Sequence, residues 1–267
     1  MPLILPTVRG GLEPVEAALA DLRRRRGADA TRGLAPGLLP PQLTPEWVPA
    51  SALVSGERLD EALELARLRW SAPPATAAAL VWRSYTYWLV MPLVLGWARA
   101  RRVPLADPDE VFLRVTADPA QAPVTFAWRR AQLAVLPHDP AVGAADVRIV
   151  TSETELLGAL RTTLRDEHLD PLLAQIQTRV RLGTRTLLGS LASAVAYAVV
   201  RGLDRPVPVL RETADTLLST LDVADLVALE PEPGGLRVQR RTCCLAFTLP
   251  GSRVCSGCCV PAAATTG

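Results

Sequence analysis

Apolar residues recur at three- and four-residue intervals over most of the chain, a spacing that predicts amphipathic helices. One clear helix is predicted from Ser55 to Trp70, with Ser55 as its N-cap. The segment from Ala75 to Ala100 is apolar nearly all round, so we expect a long helix at the centre of the core, kinked at Pro92. Further helices are predicted at residues 11–26, 156–165, 171–180, 186–200 and 212–226.

Short apolar runs between Pro104 and Val150 have the character of strands. They are separated by Asp-Pro, Ala-Pro and His-Asp-Pro turn signals, and they cover residues 111–115, 124–128, 132–136 and 147–150. We expect them to form a small antiparallel meander. The sequence therefore predicts an α+β fold with a helix-rich body.

Proline and glycine divide the chain into parts. Residues 1–50 combine a short helix with a segment rich in proline and glycine, which predicts a loop or an extended linker. Residues 51–230 contain the helix-rich α+β body. Pro231 to Gly235 predict a second linker, followed by a compact C-terminal module at residues 236–262.

Composition limits the classes of function. The 267 residues are 49% hydrophobic and 21% charged, which excludes extended disorder for most of the chain. The formal net charge of +2 lacks the basic excess of a nucleic-acid binder. The most apolar runs are shorter than the roughly 18 residues of a membrane span. We therefore expect a cytoplasmic protein with no nucleic-acid partner and no membrane span.

All cysteines of the chain lie between Cys243 and Cys259. In a reducing compartment, clustered cysteines are more typical of metal ligands or redox thiols than of structural disulfides. A Pro-Gly turn between the two halves of the cluster can fold Cys243 and Cys244 back beside Cys255 and Cys258. Four soft thiolates suit zinc or an iron–sulfur cluster.

The spacing favours iron and sulfur but leaves the alternatives open. Cys255 and Cys258 have the C-x2-C spacing of a zinc knuckle, whereas Cys243 and Cys244 are adjacent. Neighbouring side chains of an extended segment point to opposite faces, so they converge on one ion only where the backbone bends. A 2Fe–2S cluster is broader and accepts more varied directions. An iron–sulfur cluster, a zinc site and a redox dithiol thus remain, in that order of preference.

The cysteine motif resembles the C-terminal signature of the FhuF-type ferric siderophore reductases. Arg-Arg-Thr-Cys-Cys is followed by ten residues, a cysteine, two residues and a cysteine, which matches that family's C-C-x10-C-x2-C pattern at positions 243, 244, 255 and 258. A weaker similarity covers Tyr85 to Trp97, the sheet-like region after it, residues 168–173 and the apolar helix near Ser190 and Ala194. This part also resembles, distantly, a portion of the siderophore synthetases of the IucA/IucC type. The sequence departs from the family pattern at Cys259, where proline is expected.

The resemblance implies an oxidoreductase that transfers one electron from a 2Fe–2S cluster to siderophore-bound Fe(III) and releases Fe(II) in the cytoplasm. It implies that the four matching cysteines are the cluster ligands and that no catalytic residue is needed beyond the cluster. No nicotinamide, flavin or ATP motif is present, so we expect a separate electron donor of the ferredoxin or flavin reductase type. Arg237, Arg240 and Arg241 are candidates for docking the substrate or the donor, with solvated strand charges as the alternative interpretation.

The sequence also allows other functions and contains further candidate residues. An iron–sulfur redox or iron sensor, an electron-transfer binding protein and a zinc-stabilised domain without redox chemistry are the alternative functions. Thr242, Thr248 and Ser256 are available hydrogen-bond donors to cluster sulfurs. The only histidines are His138 and His168, and we expect His168 to act as a helix cap or surface residue.

Overall fold

A computed structural model of the chain describes residues 9–40, 42–251 and 257–260. Its α-helices are α1 (Arg9–Arg26), α2 (Ala50–Val54), α3 (Leu59–Trp70), α4 (Pro74–Ala100), α5 (Glu153–Arg161), α6 (Asp170–Arg179), α7 (Thr184–Gly202) and α8 (Val207–Thr220). A π-helical segment joins α5 to α6 (Thr162–Leu169), and short 3-10 segments lie at Ala28–Thr31, Ala224–Leu226 and Ala246–Thr248.

The strands form small sheets. They are β1 (Val48–Pro49), β2 (Arg102–Pro104), β3 (Val111–Val115), β4 (Val124–Trp128), β5 (Leu133–Val135), β6 (Val147–Ile149), β7 (Val227–Glu232) and β8 (Gly235–Arg240). One sheet has the order β1-β3-β4, a second has the order β2-β5-β6, and β7 and β8 form a hairpin. This arrangement of helices and small sheets confirms the predicted α+β fold class.

The predicted meander is wrong in its connectivity, although its strands lie close to the predicted runs. β3 and β4 pair as an antiparallel hairpin, but β5 pairs with β2 and, in parallel, with β6. Parallel neighbours need a long connection, and residues 136–146 supply one between β5 and β6. The turn signals in that stretch therefore mark a crossover instead of a tight hairpin.

Helices α4 and α7 form the centre of the core. They run in the same direction, since Trp82 Nε1 donates to the Leu187 carbonyl at 2.8 Å near their beginnings and Leu95 packs on Gly202 near their ends. An added Cβ on Gly202 would lie 2.6 Å from Leu95, so the small residue permits this close approach. Among the described residues, no helix combines the length and the apolar character that crossing a membrane requires.

The proline- and glycine-rich segment near the N-terminus is packed against the body. An added Cβ on Gly33 would lie 2.2 Å from the Trp88 ring, and Leu34 forms a parallel bridge with Phe126 of β4. The predicted N-cap at Ser55 is wrong, because Ser55 lies at the end of α2. Gly56 follows with φ 86, a conformation that glycine tolerates, and α3 begins only at Leu59.

The predicted linker at Pro231 to Gly235 is the turn of a β-hairpin. The register pairs Glu232 with Gly235, and Gly234 has φ 84 in the turn. Strand β8 also contacts α7. The segment that carries the cysteines is therefore continuous with the core.

Candidate thiolate site

Strand β8 positions the first cysteine pair. Alternate residues of β8 face the core, and its last residue, Arg240, is one of them. The Arg241 N–H donates to the Leu226 carbonyl at 3.0 Å, which fixes the end of the hairpin. Cys243 and Cys244 follow two residues later, so both are held close to the end of an ordered strand.

The backbone bends immediately after the cysteine pair. Leu245 has φ 61, and the 3-10 segment Ala246–Thr248 follows it. The Thr248 and Thr76 hydroxyls lie 3.2 Å apart, which ties this bend to the beginning of α4. Adjacent cysteines can approach a common group only where the chain bends, and the bend is present here.

The second half of the motif returns along β8. The Arg240 N–H donates to the Gly257 carbonyl at 2.9 Å, and the Gln239 side chain donates to the Cys258 carbonyl at 2.9 Å. An added Cβ on Gly257 would lie only 2.0 Å from the Val238 carbonyl oxygen, so glycine is required at this contact. Cys255 lies outside the described residues.

The structure brings Cys243, Cys258 and Cys259 together. Burial raises the pKa of Cys259 to about 11, and the neighbouring Cys243 and Cys258 add to this increase. The Leu245 N–H donates to Cys243 Sγ at 3.2 Å, and the Val260 N–H donates to Cys258 Sγ at 3.4 Å. The two backbone amides therefore fix the positions of the Cys243 and Cys258 sulfurs.

Cys244 faces α4 and two arginines. Its side chain is buried, and Arg83 Nη1 donates to its Sγ at 3.5 Å. Burial works to raise the pKa of Cys244, but the charges of Arg240 and Arg83 and a bond from the Ala246 N–H outweigh it. The resulting pKa of Cys244 lies below its ordinary value. This sulfur is therefore prepared to carry negative charge.

Arg240 is a buried cation without a carboxylate partner in the described part of the chain. It is 5% exposed, and its guanidinium donates to Ser190 Oγ at 3.3 Å and to the Thr242 carbonyl at 3.4 Å, both neutral groups. Burying a charge is costly unless an opposite charge accompanies it. The thiolate of Cys244 is in a position to supply that charge.

The three arginines predicted to dock a substrate occupy different environments. Arg237 is exposed and forms an ion pair with Glu230 across the hairpin. Arg241 is exposed and donates to the Asp225 carbonyl at 3.4 Å. Arg240 faces inward, towards Cys244. Their docking role remains a prediction, and the structure gives Arg240 a closer relation to the cysteines than to the surface.

The residues of the cysteine segment suit a group held by four thiolates in their charges, but the described residues do not form a complete metal site. Within residues 9–40, 42–251 and 257–260, no three His, Cys, Asp or Glu side chains are arranged to hold a metal ion, and one predicted ligand, Cys255, falls outside these ranges. The charges nevertheless fit, because Arg83 and Arg240 both act on Cys244. Thr242 Oγ1, adjacent in sequence to Cys243, is buried against Gly189 of α7 and has no hydrogen-bond partner among the described residues.

Sequence reasoning missed Arg83 and Gly189. An added Cβ on Gly189 would lie 1.7 Å from Thr242 Oγ1, so this glycine allows the cysteine segment to pack directly on α7. Nothing in the local sequence indicates that contact. Arg83 had a signal, because it is the only charged residue between Arg69 and Arg99. An isolated charge in an apolar helix needs a partner, and the partner proves to be Cys244.

The predicted cap or surface role of His168 is wrong, because this residue is fully buried. Its Nδ1 lies 2.6 Å from the Ala106 carbonyl and therefore carries the proton, so its Nε2 accepts from the Tyr85 hydroxyl at 2.5 Å. Burial lowers the pKa of His168 to about 4, which keeps the ring neutral. His168 is thus a satisfied core residue.

No protein-family model matches this chain, and no curated protein matches it either. The resemblance to the FhuF-type reductases therefore rests on the cysteine motif, and the functional argument rests on that motif and on the charges around it.

Proposed function

We propose that this protein is an iron–sulfur oxidoreductase that reduces Fe(III) bound to a siderophore. The proposed ligands of a 2Fe–2S cluster are Cys243, Cys244, Cys255 and Cys258. The spacing of these cysteines and the bend after the first pair support the proposal. The resemblance to the FhuF-type family supplies the substrate class.

The buried guanidinium of Arg240 is the observation that carries the proposal. Arg240 contacts Ser190 of α7 and has no carboxylate partner among the described residues. Arg83 of α4 contacts Cys244. A group held by four thiolates is negatively charged and would compensate both cations. A domain whose thiols stayed protonated would leave Arg240 buried without an opposite charge, which is unfavourable.

When bound, a 2Fe–2S cluster would supply one electron, so that Fe(III) becomes Fe(II) while the cluster is oxidised by one electron. Arg83 and Arg240 offset the charge of the thiolates. The backbone amides of Leu245 and Val260 hold two of the sulfurs in place. Fe(II) binds the anionic siderophore oxygens much more weakly than Fe(III), because its charge is lower, and it therefore leaves.

We further propose that the reaction takes place in the cytoplasm, where thiols stay reduced. A separate one-electron donor of the ferredoxin or flavin reductase type would restore the cluster after each turnover. This part of the proposal follows from the absence of a nicotinamide or flavin motif in the sequence.

Purification without oxygen tests the proposal. We expect a coloured protein with two irons and two labile sulfides per chain, and an EPR signal that appears after reduction with dithionite. Mixing the reduced protein with a ferric siderophore and a chelator that traps Fe(II) should then yield one Fe(II) per cluster. A colourless protein with one zinc and no sulfide would instead establish the zinc-stabilised domain.

Cysteine substitutions test the ligand set. We expect Cys243→Ser and Cys258→Ser to abolish the visible absorbance and the bound iron. Cys259→Ser is the matched control, because Cys259 lies beside both residues but is not a proposed ligand, and it should retain the cluster. Loss of the cluster in Cys259→Ser with retention in Cys255→Ser would show that Cys259 is the ligand instead.

A further inference from the structure

Cys259 is a thiol that the proposed function does not use. The proposed cluster takes four of the five cysteines of the chain, and Cys259 directly follows the last of these four. Its side chain is half-buried, and its sulfur is in no disulfide. Cys259 is therefore a thiol that reagents can reach from solvent, beside the residues of the proposed cluster.

The pairing of the C-terminal segment with β8 places Cys259 next to Cys243. The Arg240 N–H donates to the Gly257 carbonyl at 2.9 Å. Cys243 lies three residues after Arg240, and Cys259 lies two residues after Gly257, so both thiols are close to this anchor. The thiols of Cys243 and Cys259 form a hydrogen bond with each other. Their sulfurs are thus in direct contact.

The backbone is held on both sides of this contact. The Leu245 N–H donates to Cys243 Sγ at 3.2 Å, and the Gln239 side chain donates to the Cys258 carbonyl at 2.9 Å. A disulfide bond is about 2.05 Å long, so two sulfurs in hydrogen-bond contact need to approach only a little further to form one.

We infer that Cys243 and Cys259 form a disulfide bond when the cysteine site holds no metal group, with hydrogen peroxide as the oxidant. One thiol is first oxidised to a sulfenic acid, as the O–O bond of the peroxide breaks and one water leaves. The second thiol then displaces the hydroxyl group as another water, and the S–S bond forms. In total the two thiols lose two electrons and two protons, and the peroxide is reduced to two waters.

The disulfide goes beyond the proposed function and gives Cys259 a protective role. Disulfide and cluster exclude each other, because both need the Cys243 sulfur. A sulfenic acid that meets no second thiol is oxidised further to sulfinic and sulfonic acids, which is irreversible for most proteins. The disulfide can instead be reduced by thiol exchange. Cys259 therefore keeps Cys243 in a form that can bind a metal group again.

Peptide mapping of the full chain, freed of metal by a chelator under reducing conditions, tests the inference. Trypsin cleaves after Arg241 and Arg253, so Cys243 falls in the peptide 242–253 and Cys259 falls in the peptide 254–267. After one equivalent of hydrogen peroxide, we expect these peptides to be joined by a bond that fragmentation assigns to Cys243 and Cys259. Two of the five thiols per chain should be lost, and dithiothreitol should restore them.

Serine variants identify the partner of Cys243. Cys259→Ser should abolish the joined peptides, and excess peroxide should then convert Cys243 to the sulfonic acid. Cys258→Ser is the matched control, because it removes the neighbouring thiol and leaves the contact between Cys243 and Cys259, so the joined peptides should remain. Unjoined peptides in the wild type, an equal yield in Cys259→Ser, or a main linkage between other cysteines would overturn the inference.

The outcome is distinguishable from a failure of the proposed function. A protein that binds zinc or no metal, but joins Cys243 to Cys259, would contradict the reductase and leave this inference standing. A protein that holds a 2Fe–2S cluster, but gives no joined peptides after the cluster is removed, would support the reductase and contradict the inference. The loaded protein should give no joined peptides as long as the cluster stays bound.

Discussion

Two arginines near α4 have contrasting surroundings: Arg102 lies just beyond its carboxyl end, and Arg83 lies in its first half. Beyond its carboxyl end, the side chains of Arg102 and Asp139 are 10% and 8% exposed and form an ion pair at 2.8 Å. In its first half, Arg83 contacts Cys244, and the nearby buried Arg240 has no carboxylate partner in the described chain. At Arg102, a carboxylate of the protein itself compensates the positive charge. Beside Arg83 and Arg240 there is the thiol of Cys244 instead of a carboxylate, which indicates that an anionic group binds here.

His168 shows a third way of burying a basic side chain. The ring lies between the Tyr85 hydroxyl and the Ala106 carbonyl, and it is neutral. A buried base in this protein is thus paired with a carboxylate, kept uncharged, or placed beside a thiol. The first two solutions are complete without any ligand.

The largest effect is expected where the ion pair is complete. Asp139→Asn would leave Arg102 nearly buried without its carboxylate, and breaking such a pair costs about 3–5 kcal/mol of unfolding free energy. Urea unfolding measures this loss. Glu230→Gln is the control, because its exposed pair with Arg237 should contribute no more than about 1 kcal/mol. Equal losses of unfolding free energy in the two variants would mean that the buried ion pair contributes no more to stability than the exposed one.

His168 should make stability depend on pH. Its pKa falls from 6.5 to about 4 on folding, so the unfolded chain binds more protons between these values. Stability should therefore decrease as the pH falls below about 6.5 and level off below about 4, by about 3 kcal/mol in total. The difference between urea midpoints of the wild type and His168→Gln across this range measures it. His138→Gln, at the exposed histidine, should leave the dependence intact.

Gly189→Ala should disturb the cysteine segment selectively. The new methyl group would overlap Thr242, so the segment must move away from α7. We expect a loss of about 2 kcal/mol, typical of overpacking, together with reduced iron content. Gly158→Ala is the matched helical control, because an added Cβ there meets nothing within 4 Å. If Gly189→Ala bound iron normally, close packing of Thr242 on α7 would not be needed for the site.

The smallest expected effect on stability is that of Arg240→Met, and its sign should depend on whether the Cys244 thiol is present. Arg240→Met in the loaded protein should lower the cluster content and destabilise the fold. In a Cys244→Ser background, which removes the nearby thiolate, the same change relieves an uncompensated buried charge and should stabilise the fold by about 1 kcal/mol. Thermal unfolding of the four proteins of this cycle gives both values. The same sign in both backgrounds would show that Arg240 does not respond to Cys244.

Local patterns were sufficient for much of the fold. The apolar spacing predicted α4, α7 and the strands β3 to β6, because periodicity follows from which face of an element is buried. The pairing of β5 with β6 could not be predicted, since short strands of similar composition leave several partners open. The buried position of His168 was missed for a related reason: its partners, Tyr85 and Ala106, are distant in sequence.

For the candidate site, the sequence by itself determined the cysteine spacing, and it held in the isolated charge at Arg83 a signal that sequence reasoning missed. Only the tertiary structure placed Arg83 against Cys244, across 161 residues of chain, and packed Thr242 on Gly189. Spacing along a chain is a local property, whereas compensation of a buried charge depends on which elements meet in space. That meeting is decided by the packing of α4, α7 and β8 around one core.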